Sequence, residues 1–369
     1  MDLASPYFTE QLITYLGNKR ALLPFINKAI EKIKAELGGG KMVCLDGFSG
    51  SGVVSRLLKY HSKYLVSNDL EDYAWIINKC YLANKSEVDL PKISATIKRL
   101  NEEADANPKG GFIYENYAPK DDNAIQAGER VFYTGVNAKK IDTLKELIYS
   151  NIAECERHFY LAPLIVASSI HTNTSGVFKG FHKKNGIGHF GGAGENALVR
   201  IKKEIKLQPP IFSDCECKVE VTKQDINELV KNNKAFDLAY FDPPYNQHPY
   251  GSNYFMLNIL ATAEKQIPIQ CGVSGIAEKW NRSEYNKRQR AINAMDDLIR
   301  NTNAKYFLIS YNNEGIIPAP DFKKILSRYG TYELFEQDYY TYRGSRNLKA
   351  RNKIVTELLW ILKKEVKNV

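Results

Sequence analysis

The strongest constraint on the fold of this chain is a pair of prolines at the end of an apolar run. Residues 235–241 have the sequence Ala-Phe-Asp-Leu-Ala-Tyr-Phe, and Asp242, Pro243, Pro244 and Tyr245 follow directly. Proline lacks the N–H that a central strand needs, so the pair ends a buried strand abruptly. Because the ring also fixes φ, Asp242 and Tyr245 are held in a stiff turn. A carboxylate beside an aromatic ring in such a turn suits the binding of a planar amine, with an ordinary strand-ending turn as the alternative.

A glycine-rich turn follows another short apolar run near the N-terminus. Residues 43–54 have the sequence Val-Cys-Leu-Asp-Gly-Phe-Ser-Gly-Ser-Gly-Val-Val, which predicts a strand, a turn and the start of a helix. Gly50 and Gly52 would let a ligand approach the backbone at the carboxyl end of this strand, where nucleotide-like ligands bind in open α/β sheets. The Lys-Ser/Thr pair of a phosphate-binding loop does not follow Gly52, which disfavours hydrolysis of nucleoside triphosphates.

A second predicted strand, residues 64–68, ends in a carboxylate. Asp69 follows it directly, and an acid at the tip of the second strand is suitably placed to accept both hydroxyls of a ribose. The alternative is that Asp69 caps the helix predicted over residues 71–78. One side chain could serve both purposes.

Several segments together resemble the Dam-like DNA adenine-N6 methyltransferases, the D12 class with the alpha-group order of motifs. Residues 48–52 are similar to the F-x-G-x-G motif for S-adenosylmethionine, and residues 242–245 are similar to the catalytic motif. Residues 15–19 are similar to the aromatic-x-G-G-K segment that precedes both, although Asn18 replaces a glycine. Residues 174–180 are similar to a hairpin region of the family's DNA-reading domain.

This resemblance implies an α/β fold: a Rossmann-like S-adenosylmethionine-dependent methyltransferase sheet with an inserted, mainly helical target-recognition domain. The alternation of strand and helix patterns lapses between residues 84 and 215, which agrees with such an insertion. We therefore expect residues 1–83 and 216–369 to form the two parts of the catalytic domain and residues 84–215 to recognise the target. The expected core is a largely parallel sheet covered by helices.

The resemblance also implies a mechanism. Asp242 would accept one N6–H of adenine, the Pro243 carbonyl would accept the other, and Tyr245 would stack on the base, with Pro244 completing the catalytic motif. Two acceptors favour the pyramidal amine of the transition state over the planar ground state. No covalent step is needed, but the target base must leave the double helix, so we expect base flipping.

The cofactor implied by the resemblance is S-adenosylmethionine, and ten residues are expected to contact it. Asp225 follows the predicted third strand and would accept from the cofactor's adenine amino group, with a helix N-cap as the alternative. The full set is Tyr15, Gly17, Lys19, Asp46, Phe48, Gly50, Gly52, Asp69, Asp225 and Asp242.

Positive charge suggests a polyanionic partner, which the resemblance identifies as double-stranded DNA. The chain has a net charge of +9, and basic residues concentrate in residues 179–206 and 343–353. Such runs can follow phosphates, with a solvated charged face as the alternative. The residues expected to contact DNA are Phe178, Lys179, Phe181, His182, Lys183, Lys184, Arg343 and Arg346.

Composition places the chain among ordinary globular proteins, with 44% apolar and 25% charged residues in 369. No apolar stretch is long enough to span a membrane, and residues 1–6 lack the pattern of a signal peptide. The cysteines are single apart from Cys215 and Cys217, and no metal site is expected. These features favour a cytoplasmic, nucleoid-associated protein.

The sequence therefore predicts a sequence-specific DNA adenine-N6 methyltransferase of a restriction-modification system, with a cognate restriction endonuclease as a possible partner. Two alternatives stay open. One is a methyltransferase for cytosine N4 or an RNA base, and the other is a catalytically silent DNA-binding regulator.

Overall fold

The computed structural model describes residues 1–340 and 354–365 of the chain. Within these residues the main sheet has seven strands in the order β3-β2-β1-β4-β5-β7-β6. The strands β1 to β5 are parallel, and β7 is antiparallel to both β5 and β6. Their bounds are β1 Met42–Asp46, β2 Ser62–Asp69, β3 Lys218–Lys223, β4 Phe236–Phe241, β5 Ala304–Asn312, β6 Gly330–Tyr340 and β7 Ile354–Lys364.

Helices cover both faces of this sheet, as a largely parallel sheet requires. The α-helices are α1 Pro6–Thr9, α2 Leu23–Glu36, α3 Val53–His61, α4 Asp72–Tyr81, α5 Leu90–Ala106, α6 Phe112–Tyr117, α7 Gly135–Asn151, α8 His158–Ile170, α9 Leu198–Lys202, α10 Ile226–Leu229, α11 Tyr250–Asn253, α12 Phe255–Ala261, α13 Ala291–Asn301 and α14 Ala319–Leu326. The predicted α/β fold with a Rossmann-like, largely parallel sheet is thereby confirmed.

The periodic apolar residues of α2 show why it packs on the sheet. Ile26, Ile30 and Ile33 are fully buried, and they join a core cluster with Leu57 of α3 and Leu308 of β5. Residues at this spacing lie on one face of a helix, so the polar face remains exposed. The helix ends at Glu36, and three glycines follow Leu37.

Residues 84–215 lie between β2 and β3 and are mainly helical. They contain α5 to α9 and a short antiparallel hairpin in which Lys183–Lys184 pair with Ile187–Gly188. Phe132 and Leu144 of this segment share a core cluster with Tyr73 of α4 and with Phe255 of α12. The insertion is therefore packed directly against helices that flank the sheet.

The strand order reverses between β1 and β4, and this reversal forms a crevice. From β1 the chain adds β2 and then β3 on one side, and it then crosses back to add β4 and β5 on the other side. Asp46 pairs with Tyr240, so both strands end at nearly the same level. Ligands of open α/β sheets bind at such a switch point. Among the described residues, no helix is both long and apolar enough to cross a bilayer.

Candidate active site

The crevice between β1 and β4 opens into a cavity that contains most of the side chains predicted to bind the cofactor. The glycine turn, the end of β2 and an N-terminal loop form its walls. The predicted residues that line it are Tyr15, Gly17, Lys19, Asp46, Phe48, Gly50, Asp69, Asp225, Asp242 and Pro244.

Backbone geometry explains why glycine stands at two positions of the turn after β1. Gly50 and Gly52 have φ values of +49° and +76°, a region that disfavours residues with a Cβ. A Cβ on Gly50 would lie 2.8 Å from the ring of Tyr15, so this glycine brings the turn against the N-terminal loop. A Cβ on Gly52 would lie 2.6 Å from Oδ1 of Asn78. Gly52 therefore packs against α4 and is not among the residues that line the cavity.

Asp46 is a buried carboxylate with spare acceptor capacity. Its Oδ2 accepts a hydrogen bond of 2.6 Å from the Ser55 hydroxyl, while Oδ1 makes no hydrogen bond of good geometry to another described residue. Burial, partly offset by the Ser55 hydrogen bond, raises the pKa of this carboxyl to about 7. A buried acceptor of this kind at a cavity wall fits a cationic ligand.

Asp69 organises the end of β2 through backbone hydrogen bonds. Its Oδ2 accepts from the N–H of Gly50 at 2.7 Å, and its Oδ1 accepts from the N–H of Glu71 at 3.0 Å. Glu71 is the N-cap residue of α4, so Asp69 does not hold the cap position that we considered. The carboxylate links the turns after β1 and β2 and still faces the cavity.

Asp225 takes the helix-capping role that the sequence left open, and it also reaches the cavity. It is the N-cap residue of α10, where its side chain accepts a hydrogen bond of 2.9 Å from the N–H of Asn227. It also lines the cavity. The cap fixes the carboxylate at the far end of the cavity from the turn after β4.

Asp242 lies at the opposite end of the cavity and is paired with a buried lysine. The Nζ atom of Lys19 lies 3.2 Å from Oδ1 of Asp242 and 3.0 Å from Oε1 of Glu357. Burial raises the pKa of Asp242 to about 7, although the Lys19 ammonium lowers it, and the Glu357 carboxylate raises it further. The site therefore holds a carboxylate that changes its charge near neutral pH.

The other members of the Asp-Pro-Pro-Tyr turn occupy different surroundings. Pro244 lines the cavity, whereas Pro243 and Tyr245 are not among its lining residues. The ring of Tyr245 lies beside the N-terminal loop, where a Cβ on Gly17 would be 3.0 Å from it. The Tyr245 carbonyl accepts a hydrogen bond from Ile316. The turn is thus anchored on both sides, which keeps Asp242 in place.

A stack of tyrosines joins the N-terminal loop to the segment after the Asp-Pro-Pro-Tyr turn. Sequence reasoning did not predict this stack. Tyr15 stacks on Tyr250 and on Tyr254 with ring centroids 5.0 Å apart in each case. The Tyr250 hydroxyl donates to the Leu16 carbonyl, and the Tyr254 hydroxyl accepts from the Leu16 N–H. Other cavity residues that no motif indicated are Asn68, Glu71, Tyr240, Asn281, Ser283 and Tyr285.

The structure corrects part of the predicted DNA contact set. Phe178 and Phe181 are 1% and 9% exposed and pack around Phe132, so their rings support the insertion from inside and are not placed to contact DNA. Lys179 and Lys184 are exposed. The resemblance to the family's hairpin region and the neighbouring lysines suggested DNA contact for all of these residues, and periodicity gave no signal that the two rings were buried.

The remaining predicted contacts are partly accessible or lie outside the described residues. His182 and Lys183 are half-buried, and the Lys183 ammonium lies 5.1 Å from the centre of the Phe181 ring. Arg343 and Arg346 lie outside the described residues. Across residues 1–340 and 354–365, no group of three or more His, Cys, Asp and Glu side chains is arranged to hold a metal ion.

A family model and several known proteins match this chain, and they agree on one family. A sequence model described as D12 class N6 adenine-specific DNA methyltransferase matches residues 15–325. The type II methyltransferase M.NlaIII of Neisseria lactamica is 30% identical over 361 residues, which cover 95% of this chain and 99% of that protein. Modification methylase StsI of Streptococcus sanguinis is 31% identical over 95% of this chain but only 52% of its own length. The type II methyltransferase M.CviAII of Paramecium bursaria Chlorella virus 1 is 28% identical over 90% of this chain and 93% of its own length.

Proposed function

This chain belongs to the D12 class of N6 adenine-specific DNA methyltransferases, and we propose that the cavity between β1 and β4 is its active site. Enzymes of this class transfer a methyl group from S-adenosylmethionine to adenine in DNA. The observation that carries the assignment is the meeting of two distant motifs: the glycine turn and Asp242 line the same cavity at the switch point of the sheet. Cytosine N4 and RNA bases are accordingly not favoured as targets.

The cavity offers contacts that fit S-adenosylmethionine along its length. Asp46 has the spare buried acceptor that a cationic group needs, and the φ of Gly50 keeps the turn open at that point. We assign the ribose to Asp69 and the adenine amino group to Asp225, which both line the cavity. Bound there, the cofactor would supply a methyl group on a positively charged sulfur.

The chain's own part in the reaction lies with the catalytic turn. Asp242 accepts one N6–H of the target adenine and the Pro243 carbonyl accepts the other, which favours the pyramidal amine. The nitrogen would lose one proton as it takes the methyl group that the bound cofactor supplies, and we assign the Asp242 carboxylate as the acceptor of that proton. Orientation of the two reactants supplies much of the remaining acceleration.

Access to this buried site requires the target base to leave the duplex, so base flipping is part of the proposal. Residues 84–215 are assigned to target recognition because they project the exposed Lys179 and Lys184 from one segment. We assign phosphate contacts to these two lysines, and such contacts position the enzyme on the duplex. The bases recognised within a specific site would be contacted by other residues of the insertion.

A restriction-modification role follows from the relatives, which are named as type II methyltransferases and modification methylases. We propose that this enzyme likewise protects DNA from a cognate endonuclease, and that it is found with the nucleoid because DNA is its substrate.

The test of the proposed function is transfer of labelled methyl groups from S-adenosylmethionine to unmethylated genomic DNA, followed by single-molecule sequencing. The expected result is N6-methyladenine in one short sequence, and the loss of transfer in Asp242→Ala with cofactor binding retained. Cofactor binding by the wild-type protein without any incorporation into DNA would instead support a silent DNA-binding regulator.

A further inference from the structure

Glu357 is a buried acid in a place where the sequence alone gives it no role. It lies on β7, beyond the residues 15–325 that the family model matches, and its side chain is completely buried. Its neighbours along the strand are mostly apolar, with Leu358, Leu359 and Trp360 following it. An ionised carboxylate in such surroundings is destabilising unless it is paired and hydrogen-bonded.

Oε1 of Glu357 has two partners, and the strand register explains the first of them. Glu357 pairs with Asn312 of β5, and Ser310 lies two residues away, so the two side chains are diagonal neighbours. The Ser310 hydroxyl donates a hydrogen bond to Oε1 of Glu357. The same Oε1 lies 3.0 Å from Nζ of Lys19, while Oε2 has no hydrogen-bond partner among the described residues.

Lys19 therefore joins two carboxylates of different exposure. Its ammonium lies between Glu357, which is 0% exposed, and Asp242, which is 20% exposed and faces the cavity. A lysine side chain is long and has many rotamers, so a single carboxylate at the cavity edge would hold it loosely. Glu357 supplies a second, rigid attachment from a strand that is paired on both sides.

We propose that Glu357 is a positioning residue for methyl transfer, which holds the Lys19 ammonium against Oδ1 of Asp242 and so directs Oδ2 to the target amine. The inference rests on the proposed function of the Asp242 site and deepens it. Two carboxylates and one ammonium also leave one net negative charge beside the amine, which becomes positively charged as it is methylated. Preorganised charge of this kind favours the transition state over the ground state.

Because neighbouring charges act on the pKa of Asp242, a pH–rate profile can distinguish a positioning role of Glu357 from a purely structural one. The Glu357 carboxylate raises the pKa of Asp242, whereas Lys19 lowers it. Among the described residues, the other titratable groups that act on this cluster are one carboxyl and five hydroxyls: Asp46, Tyr240, Tyr245, Tyr250, Tyr311 and Tyr339. Burial raises the pKa of each hydroxyl, so these five stay neutral across the assay range.

The deciding variant is Glu357→Gln in the full chain, compared with Glu333→Gln as a matched control. Glu333 lies on the neighbouring strand β6, and its half-exposed side chain pairs with Lys32, away from the cavity. For Glu357→Gln we expect kcat to fall by about tenfold or more, with the Kd for S-adenosylmethionine changed by less than about twofold. The acidic limb of its pH–rate profile should move to lower pH, because the charge that raises the pKa of Asp242 is gone.

Two further variants test whether Glu357 positions Lys19 or only contributes to packing. Lys19→Gln should move the acidic limb in the opposite direction. Glu357→Asp keeps the charge but draws the carboxylate back, so we expect a lower kcat with the acidic limb unmoved; it provides the test if Glu357→Gln does not fold. A kcat within about twofold of wild type in folded Glu357→Gln or Glu357→Asp would overturn the inference. A lower kcat in Glu357→Gln and Lys19→Gln without opposed shifts of the acidic limb would also overturn it. Failure of the wild-type protein to methylate DNA in the same assay would instead overturn the proposed function.

Discussion

Replacing Asp242 by asparagine should abolish methyl transfer and make the folded protein more stable at alkaline pH. Burial, against the opposing effect of Lys19, raises the pKa of the Asp242 carboxyl from 3.8 to about 7. Because the pKa is higher in the folded than in the unfolded protein, ionisation of this group destabilises the fold. The penalty is absent below pH 3.8, grows up to about pH 7 and stays constant above it.

The size of the effect follows from the pKa difference. Each pKa unit corresponds to about 1.4 kcal/mol, so ionised Asp242 lowers the free energy of unfolding by about 4 kcal/mol at pH 8 and about 2 kcal/mol at pH 5. Asparagine removes this penalty. It also weakens the contact with Lys19, which lowers the free energy of unfolding by about 1–3 kcal/mol. The stability gained by Asp242→Asn should therefore be larger at pH 8 than at pH 5 by about 2–3 kcal/mol.

Urea unfolding of wild type and Asp242→Asn at the two pH values measures this difference directly. Asp214→Asn is the matched control, because the Asp214 side chain is 87% exposed and its replacement should change stability by less than about 0.5 kcal/mol. Methyl transfer by Asp242→Asn should fall by about 100-fold or more. The same stability difference at pH 5 and pH 8 would refute the assignment of a raised pKa to Asp242.

Three further outcomes are expected. Methyl transfer by the wild type should rise with pH through about 7, because Asp242 must be ionised to accept a proton; a flat profile of kcat between pH 5 and 8 would contradict this. Gly50→Ala should weaken S-adenosylmethionine binding by about tenfold or more in calorimetry, since its Cβ would meet Tyr15, whereas Gly40→Ala, with nothing within 4 Å, should bind normally. Lys179→Ala and Lys184→Ala should each weaken DNA binding and lower the slope of log K against log salt by about one; unchanged slopes would remove them from the interface.

Short sequence motifs predicted the parts of the site that form from residues close together in the chain. The prolines after β4 and the glycines after β1 each stand where a strand must end or a turn needs positive φ, so their positions follow from backbone chemistry. The parallel sheet then brings their carboxyl ends to one edge. This is why Asp46, Asp69 and Asp242, which are far apart in sequence, could be assigned to one site.

The parts that sequence reasoning missed depend on long-range packing. Glu357 reaches Lys19 only because β7 lies beside β5 in the antiparallel direction, which no local pattern specifies. Tyr250 meets Tyr15 through the fold of two separate loops. Phe178 was misjudged for a related reason: a single aromatic residue among glycines has no periodicity, so only the packed insertion shows that it is buried.

The acids of the cavity together explain what kind of chemistry it suits. Burial raises the pKa values of Asp46 and Asp242 to about 7 and that of Glu71 to about 8, and all three side chains line the same cavity. A fold that keeps such carboxyls buried gives up stability whenever they ionise, and one buried lysine, Lys19, does not balance three acids. A ligand with positive charge removes the imbalance. The sulfonium of the cofactor carries such a charge before methyl transfer, and the adenine amine acquires it during transfer. Under the proposed function, the same buried acids favour both the binding of the first reactant and the charge that develops on the second.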